Sequence, residues 1–260
     1  MKSALQLAIA AIFAATSLHA AASLDSYRSN CTIGVSENGE RFSLRVGEGD
    51  CANHRHCGSN FSNENFDRFS GISMADLGRE GAHLTAKLTA EAGTFTCTGT
   101  VHDAELTGDA VFEPDNAFVG RVAQIGFTGL SSEKLMAWAF LDVESEWVRS
   151  MQQTGISGLT TDNLLALRIF KADPAYIHGI TELGYTMPTA EQLVGLKVQG
   201  VNAGEVREIR ALGYQPTLDE LIQIRIFKVT PDFVRRMQAR GFKNLTIAKL
   251  VQIRIFNLAE

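Results

Sequence analysis

The chain has 260 residues, 45 % apolar and 20 % charged, which marks a globular protein with room for one large domain or two ordinary ones. Its formal charge of −5 is unevenly divided: residues 23–113 hold 14 acidic and 7 basic side chains (−7), and residues 114–260 hold 15 and 16 (+1). That asymmetry speaks for two domains and against nucleic acid as a partner.

Met1 to Ala22 reads as a targeting segment. Lys2 supplies the positive charge, Leu5 to Phe13 is an apolar run too short to span a bilayer, and Ala20-Ala21-Ala22 is a small-residue cleavage site. No later stretch is apolar enough to cross a membrane. The expectation is a soluble exported protein, periplasmic or extracellular. Export makes the cysteines legible. Cys31, Cys51, Cys57 and Cys97 are even in number and read as two disulfides. Of the possible pairings, Cys31–Cys97 with Cys51–Cys57 is preferred.

Residues 23–113 read as a small antiparallel β domain. Ile33 and Val35 alternate with polar residues, Asn38-Gly39 turns the chain, and Phe42, Leu44 and Val46 alternate on the way back. Leu84, Ala86, Leu88 and Ala90 follow, then Ala92-Gly93 and a strand with Phe95, Cys97 and Val101 on one face. Ala110 and Phe112 mark a last strand. Cys31 shares the parity of Ile33, and Cys97 that of Phe95, so both thiols point to the presumed core. Gly47 to Gly81 reads as a long loop with a helical turn near Ser73 to Leu77.

Residues 114–260 repeat. The segments starting at Trp138, Leu167, Leu196, Ile224 and Ile253 are spaced by 29 (167−138), 29 (196−167), 28 (224−196) and 29 (253−224) residues. Gly126, Gly155, Gly184, Gly213 and Gly241 keep the same beat, as do leucines 135, 164, 193, 221 and 250. In the copy from Thr230, Thr230-Pro231 starts a helix, Phe233, Val234 and Met237 form its apolar stripe, Gly241 ends it and Thr246 caps a second. Such short helices are marginal alone. The expected architecture is α+β: the β domain followed by an α-solenoid of five helical hairpins, beginning near Pro114, Glu144, Asp173, Asn202 and Thr230, whose second helices are covered by both neighbours.

Two features of the array suggest a partner. Arg168, Lys197, Arg225 and Arg254 share one repeat position, and stacking puts them in a column. They read as a stripe for an acidic protein segment or an anionic ligand. The competing reading has each favouring a helix C-terminal dipole or pairing with an acid such as Asp162, Glu191 or Asp219. The last unit shows no obvious polar cap, so Leu250, Ile253, Ile255 and Phe256 read as an exposed apolar face open to self-association or to another protein.

Pro174 to Tyr185, Ala211-Leu212-Gly213-Tyr214 with Leu221 to Phe227, and Thr230 to Val234 resemble helical repeats found after the membrane metalloprotease domain in some relatives of the bacterial β-lactam-sensing antirepressor family. Ala92 to Phe95 leading to Phe112-Glu113-Pro114 resembles the β segment before those repeats. The resemblance implies a bacterial exported accessory or sensory module. No His is followed by Glu, so the zinc-protease motif is absent and no catalytic residue carries over.

Other patterns carry little chemistry. Cys51, His54, His56 and Cys57 have the right types for zinc but sit too close to reach one ion together, and a disulfide is preferred. Ser131 and Lys134 match Ser-x-x-Lys but lack its companion motifs and fall on a helix cap. His83, His102 and His178 are isolated. The expectation is no metal, no cofactor and no enzyme: an exported interaction module offering its solenoid surface to a protein. A ligand-binding or envelope-stress sensory domain is the alternative, and an undetected hydrolase a third.

Overall fold

The computed structural model describes residues 24–36, 39, 41–47, 59–64, 66–242 and 244–256. The expected targeting segment, Cys51, His54, His56 and Cys57 lie outside them, and with them the expected Cys51–Cys57 pairing.

Seven antiparallel strands form one sheet: β1 (Tyr27–Val35), β2 (Phe42–Val46), β3 (Ser59–Glu64), β4 (Phe69–Ser70), β5 (His83–Ala90), β6 (Gly93–His102) and β7 (Glu105–Pro114), in the order β3-β2-β1-β7-β6-β5-β4. Alternation sends Cys31, Ile33, Phe42, Leu44, Leu88, Phe95, Cys97 and Phe112 to a single buried face. Cys31 and Cys97 are bonded, as their parity requires. They stand on β1 and β6, the two strands flanking β7, which in a flat sheet lie about 9.6 Å apart. Their Cα atoms are 6.0 Å apart, so the sheet curls around β7. Gly99 and Gly108 face each other across β6 and β7, and a Cβ on Gly108 would stand 2.0 Å from the Thr98 carbonyl oxygen. Only glycines allow that approach. The segment read as a loop holds α1 (Met74–Leu77), as expected, and also β3 and β4. β3, Ser-Asn-Phe-Ser-Asn-Glu, has one apolar residue and so no alternation to betray it.

Among the described residues ten helices follow as five hairpins. The first helices are α2 (Asn116–Gln124), α4 (Ser145–Gln153), α6 (Pro174–Thr181), α8 (Ala203–Ala211) and α10 (Pro231–Ala239). The second are α3 (Ser132–Phe140), α5 (Thr161–Ile169), α7 (Ala190–Val198), α9 (Leu218–Ile226) and α11 (Ile247–Ile255). Local chemistry sets both ends. Side chains of Asp115, Ser131, Thr160, Asp173, Thr189, Asn202, Thr217, Thr230 and Thr246 each accept an amide of the first turn. Each first helix runs into its marker glycine at positive φ, from 77° at Gly155 to 97° at Gly126. Second helices end at Asp142, Lys171, Gly200 and Lys228, also left-handed, and the next residue bonds back: Val143, Ala172, Val201 and Val229 amides reach carbonyls at 2.8–2.9 Å.

Equivalent helices stack in rows. In the second-helix row α5 packs on α7, α7 on α9 and α9 on α11. The row begins against the sheet, where α3 lies on β5, β6 and β7. Phe140 meets Phe95 edge-on with ring centroids 5.0 Å apart, and Trp138 meets Phe118 at 6.1 Å. One hydrophobic core therefore runs from Cys31 through the sheet to Leu193, and a second from Ile180 to Val251.

Candidate functional site

The cation column exists, and its three arginines tie each hairpin to the one before it. Arg168 donates from Nε to the Leu141 carbonyl (2.9 Å) and from Nη2 to the Asp142 carbonyl (2.7 Å). Arg225 donates from Nε to the Gln199 carbonyl (2.7 Å), and Arg254 donates twice to the Lys228 carbonyl (3.1 and 2.9 Å). Each arginine thus caps the C-terminus of the preceding second helix, where carbonyls lack helical partners and the dipole is negative. Each cation also rests on the first helix of its own hairpin, at one repeat position. Arg168 lies over Trp147 at 5.3 Å, Lys197 over Tyr176 at 4.1 Å, Arg254 over Phe233 at 4.6 Å, and Arg225 pairs with Glu205. Lys197 differs: among the described residues it reaches no carbonyl of α5. Burial pushes the Tyr176 phenol beneath it up to about 12, so the ring stays neutral and donates to the Val201 carbonyl at 3.1 Å.

The first-helix row uses the same device with other residues. Gln152 donates to the Ile125 carbonyl (2.6 Å), Arg210 to that of Leu183 and Gln238 to that of Leu212 (3.4 Å). At the sheet, Arg68 donates to the Ala139 (2.7 Å) and Phe140 carbonyls at the end of α3. Glu144 starts α4 without a side-chain cap, and Glu91 of the β5–β6 turn supplies one. Its carboxylate accepts the Ser145 amide (2.8 Å), the Ser145 hydroxyl (2.5 Å) and Arg121 (2.8 and 3.1 Å). Desolvation pushes the Glu91 carboxyl up, but the Ser145 hydroxyl and amide and the Arg121 guanidinium outweigh it and hold it below the ordinary glutamate range. Two of the expected acidic partners of the column serve elsewhere: Asp162 pairs with Lys134 at 2.8 Å, and Asp219 accepts from Gln192 at 3.3 Å.

One residue beyond each cation lies an open apolar column on the second helices, which were expected to be covered by both neighbours; of its members only Ile255 was expected to be exposed. Ile169, Val198, Ile226 and Ile255 are 49, 48, 49 and 52 % exposed. Helical rotation explains it. Ile169 is five residues after buried Leu164 and two after buried Leu167, about 140° and 200° around the axis. Neighbouring helices cover the flanks of the second helix, not this outer line. In the first hairpin the same position is Phe140, and the sheet buries it to 1 %.

The expected terminal face is only partly open. Ile255 and Phe256 (65 %) are exposed and Ile253 is half-buried, but Leu250 is 1 % exposed. Leu250 holds the repeat position of Leu135, Leu164, Leu193 and Leu221, which faces the core in every hairpin. A pocket of about 320 Å³ opens between the fourth and fifth hairpins, with Ile209, Ile224 and Val229 inside and Arg225, Lys228 and Arg254 around it.

The other candidates have local partners. Ser131 caps α3 by accepting the Lys134 amide (3.2 Å), while the Lys134 ammonium turns to Asp162. His83 bonds Thr100 (3.0 Å), His102 bonds Glu80 (2.8 Å) and His178 faces Glu182 (3.3 Å), all exposed. Among the described residues no cluster of His, Cys, Asp and Glu could hold a metal, and no helix is long and apolar enough to cross a membrane. Comparison with known proteins finds no match: no family model fits the chain, and no curated protein or solved structure is similar to it.

Proposed function

We propose that the chain is an exported, non-enzymatic interaction module that binds a protein on the outer row of its second helices. The observation that carries this reading is the column Ile169, Val198, Ile226 and Ile255. Four units keep a branched aliphatic residue half in water at one position, and single exposed apolar residues need no explanation whereas a contiguous line of them does. The arginines beside it are committed to inter-hairpin contacts and Lys197 to the Tyr176 ring, so the aliphatic column, not the cations alone, is the binding feature. The disulfide-bonded sheet anchors the first hairpin and leaves the remaining four presenting the face.

Site-specific photocrosslinking tests this. A crosslinker at Val198 in the native host should give a discrete protein adduct, and one at exposed Arg207 on α8 should not. Equal adducts at both positions, or none at Val198, would refute the assignment of this face.

A further inference from the structure

Resting on that reading, we infer that the occupant of the aliphatic column is an amphipathic α-helix with an acidic flank, laid across the second-helix row. Spacing selects the helix. Packed helix axes lie about 8–10 Å apart, so Ile169, Val198, Ile226 and Ile255 stand at steps of about 9 Å. Seven residues of α-helix rise about 10.5 Å and rotate to within about 20° of the starting face, so one stripe meets every step. An extended strand cannot do this. Two residues span about 6.7 Å and four about 13 Å, and the three that fit the step turn the side chain to the opposite face. The three steps between four positions need a helix of about 20 residues.

Charge selects the flank. The edge where the second helices end carries Arg168, Lys171, Lys197, Arg225, Lys228 and Arg254. Arg168 and Arg254 bond carbonyls and stack on rings, and Lys197 stacks on a ring, so these contacts leave the charges uncancelled. Among the described residues only Arg225 has a carboxylate, that of Glu205. The side chains of Lys171 and Lys228 enter no hydrogen bond or ion pair among the described residues, and Lys228 lines the pocket with Arg225, Arg254 and Glu205. Acidic side chains along that side of the helix complete the contact. The first hairpin shows what covering this position looks like, since Phe140 there packs on an apolar residue of the next layer, Phe95.

The probe is a synthetic peptide of about 24 residues with leucine at every seventh position and glutamate on its flanks. Its controls are the same peptide with lysine flanks and vesicles of mixed zwitterionic and anionic phospholipid. Fluorescence anisotropy against the full protein should show the glutamate peptide binding. Affinity should fall about tenfold or more in Ile169→Ser/Ile226→Ser and by less in the isosteric Val198→Thr. It should fall several-fold in Lys171→Glu/Lys228→Glu, and as salt rises from about 50 mM to about 500 mM. Neither lysine side chain braces the array, so unchanged thermal unfolding separates lost binding from lost fold. The inference is overturned if the glutamate peptide does not bind, if the lysine peptide binds as well, if the serine variant keeps full affinity, or if the column instead binds only vesicles or a second copy of the chain. A Val198 adduct in the host together with an indifferent peptide removes the acidic helix and leaves the docking face. No adduct and no peptide binding removes both.

Discussion

Lys197 is the one member of the cation column that stacks on its ring without reaching a carbonyl of the preceding helix. Lysine offers a single ammonium, and here it is drawn over Tyr176 at 4.1 Å, whereas the arginine fork at 168 and 254 serves ring and carbonyls together. Lys197→Arg should therefore complete the set, donating to the Phe170 or Lys171 carbonyl at the end of α5 while keeping the stack. A hydrogen bond from a charged donor is worth about 1.5–3 kcal/mol in protected sites. This edge is exposed, so the new bond replaces one those carbonyls can make to solvent, and about 1 kcal/mol is the expected gain. For a chain of this size that raises Tm by about 2–4 °C. Differential scanning fluorimetry reads it directly, with Arg168→Lys as the reciprocal, which should lose a similar amount. A Lys197→Arg protein no more stable than wild type, beside an Arg168→Lys protein that loses nothing, would refute the view that these cations brace one hairpin against the next.

Lys171 and Lys228 hold left-handed backbone, with φ of 55° and 53°, where Gly200 stands in the third hairpin. Lys171→Gly should raise stability by about 1 kcal/mol, and Gly184→Ala, at φ 83° in open space, should lower it by about as much in urea titrations. Reducing Cys31–Cys97 releases a loop of 66 residues and should cost about 4 kcal/mol, read as the drop in Tm on adding reductant to a Cys51→Ser/Cys57→Ser background. The folded state holds the Glu91 carboxyl below its ordinary value, so its contribution is fully present above the ordinary glutamate range and is lost as pH falls through the lowered pKa. Glu91→Gln should therefore lower stability at neutral pH and flatten the acid limb of Tm against pH, and an unchanged limb would contradict the tie between Glu91, Ser145 and Arg121.

Much of the array was legible because repetition multiplies weak local signals. Thr230-Pro231 alone is a modest helix start, and Gly241 alone a modest stop. Five copies in register make both plain, and the structure shows why the glycines recur: each sits at a positive φ that other residues adopt at a cost. The Cys31–Cys97 bond was legible from strand parity because Cys31 keeps step with buried Ile33 and Cys97 with buried Phe95, although Val35, of the same parity as Ile33, is exposed at the end of β1. What escaped has a common cause, since it depends on what lies across space from a residue. Position 168 reads as a cation near a helix end whether it binds a partner or the Leu141 carbonyl. Ile169 and Leu167 look alike in a sequence, yet one faces water and the other the core. Nothing in Glu91 announces that it will cap a helix beginning 54 residues later. β3 escaped for the opposite reason, having almost no apolar residues to alternate.

On the proposed function, the aliphatic column is a covered surface when the protein is at work. Single cysteines at positions 169, 198, 226 and 255 test it, each measured for maleimide labelling in the purified protein and again in extract of the native host, above the label taken by the wild-type cysteines. All four should label readily when purified and become protected together in extract, while a cysteine in place of Arg207 labels equally in both. Undiminished labelling of the column in extract would contradict the claim.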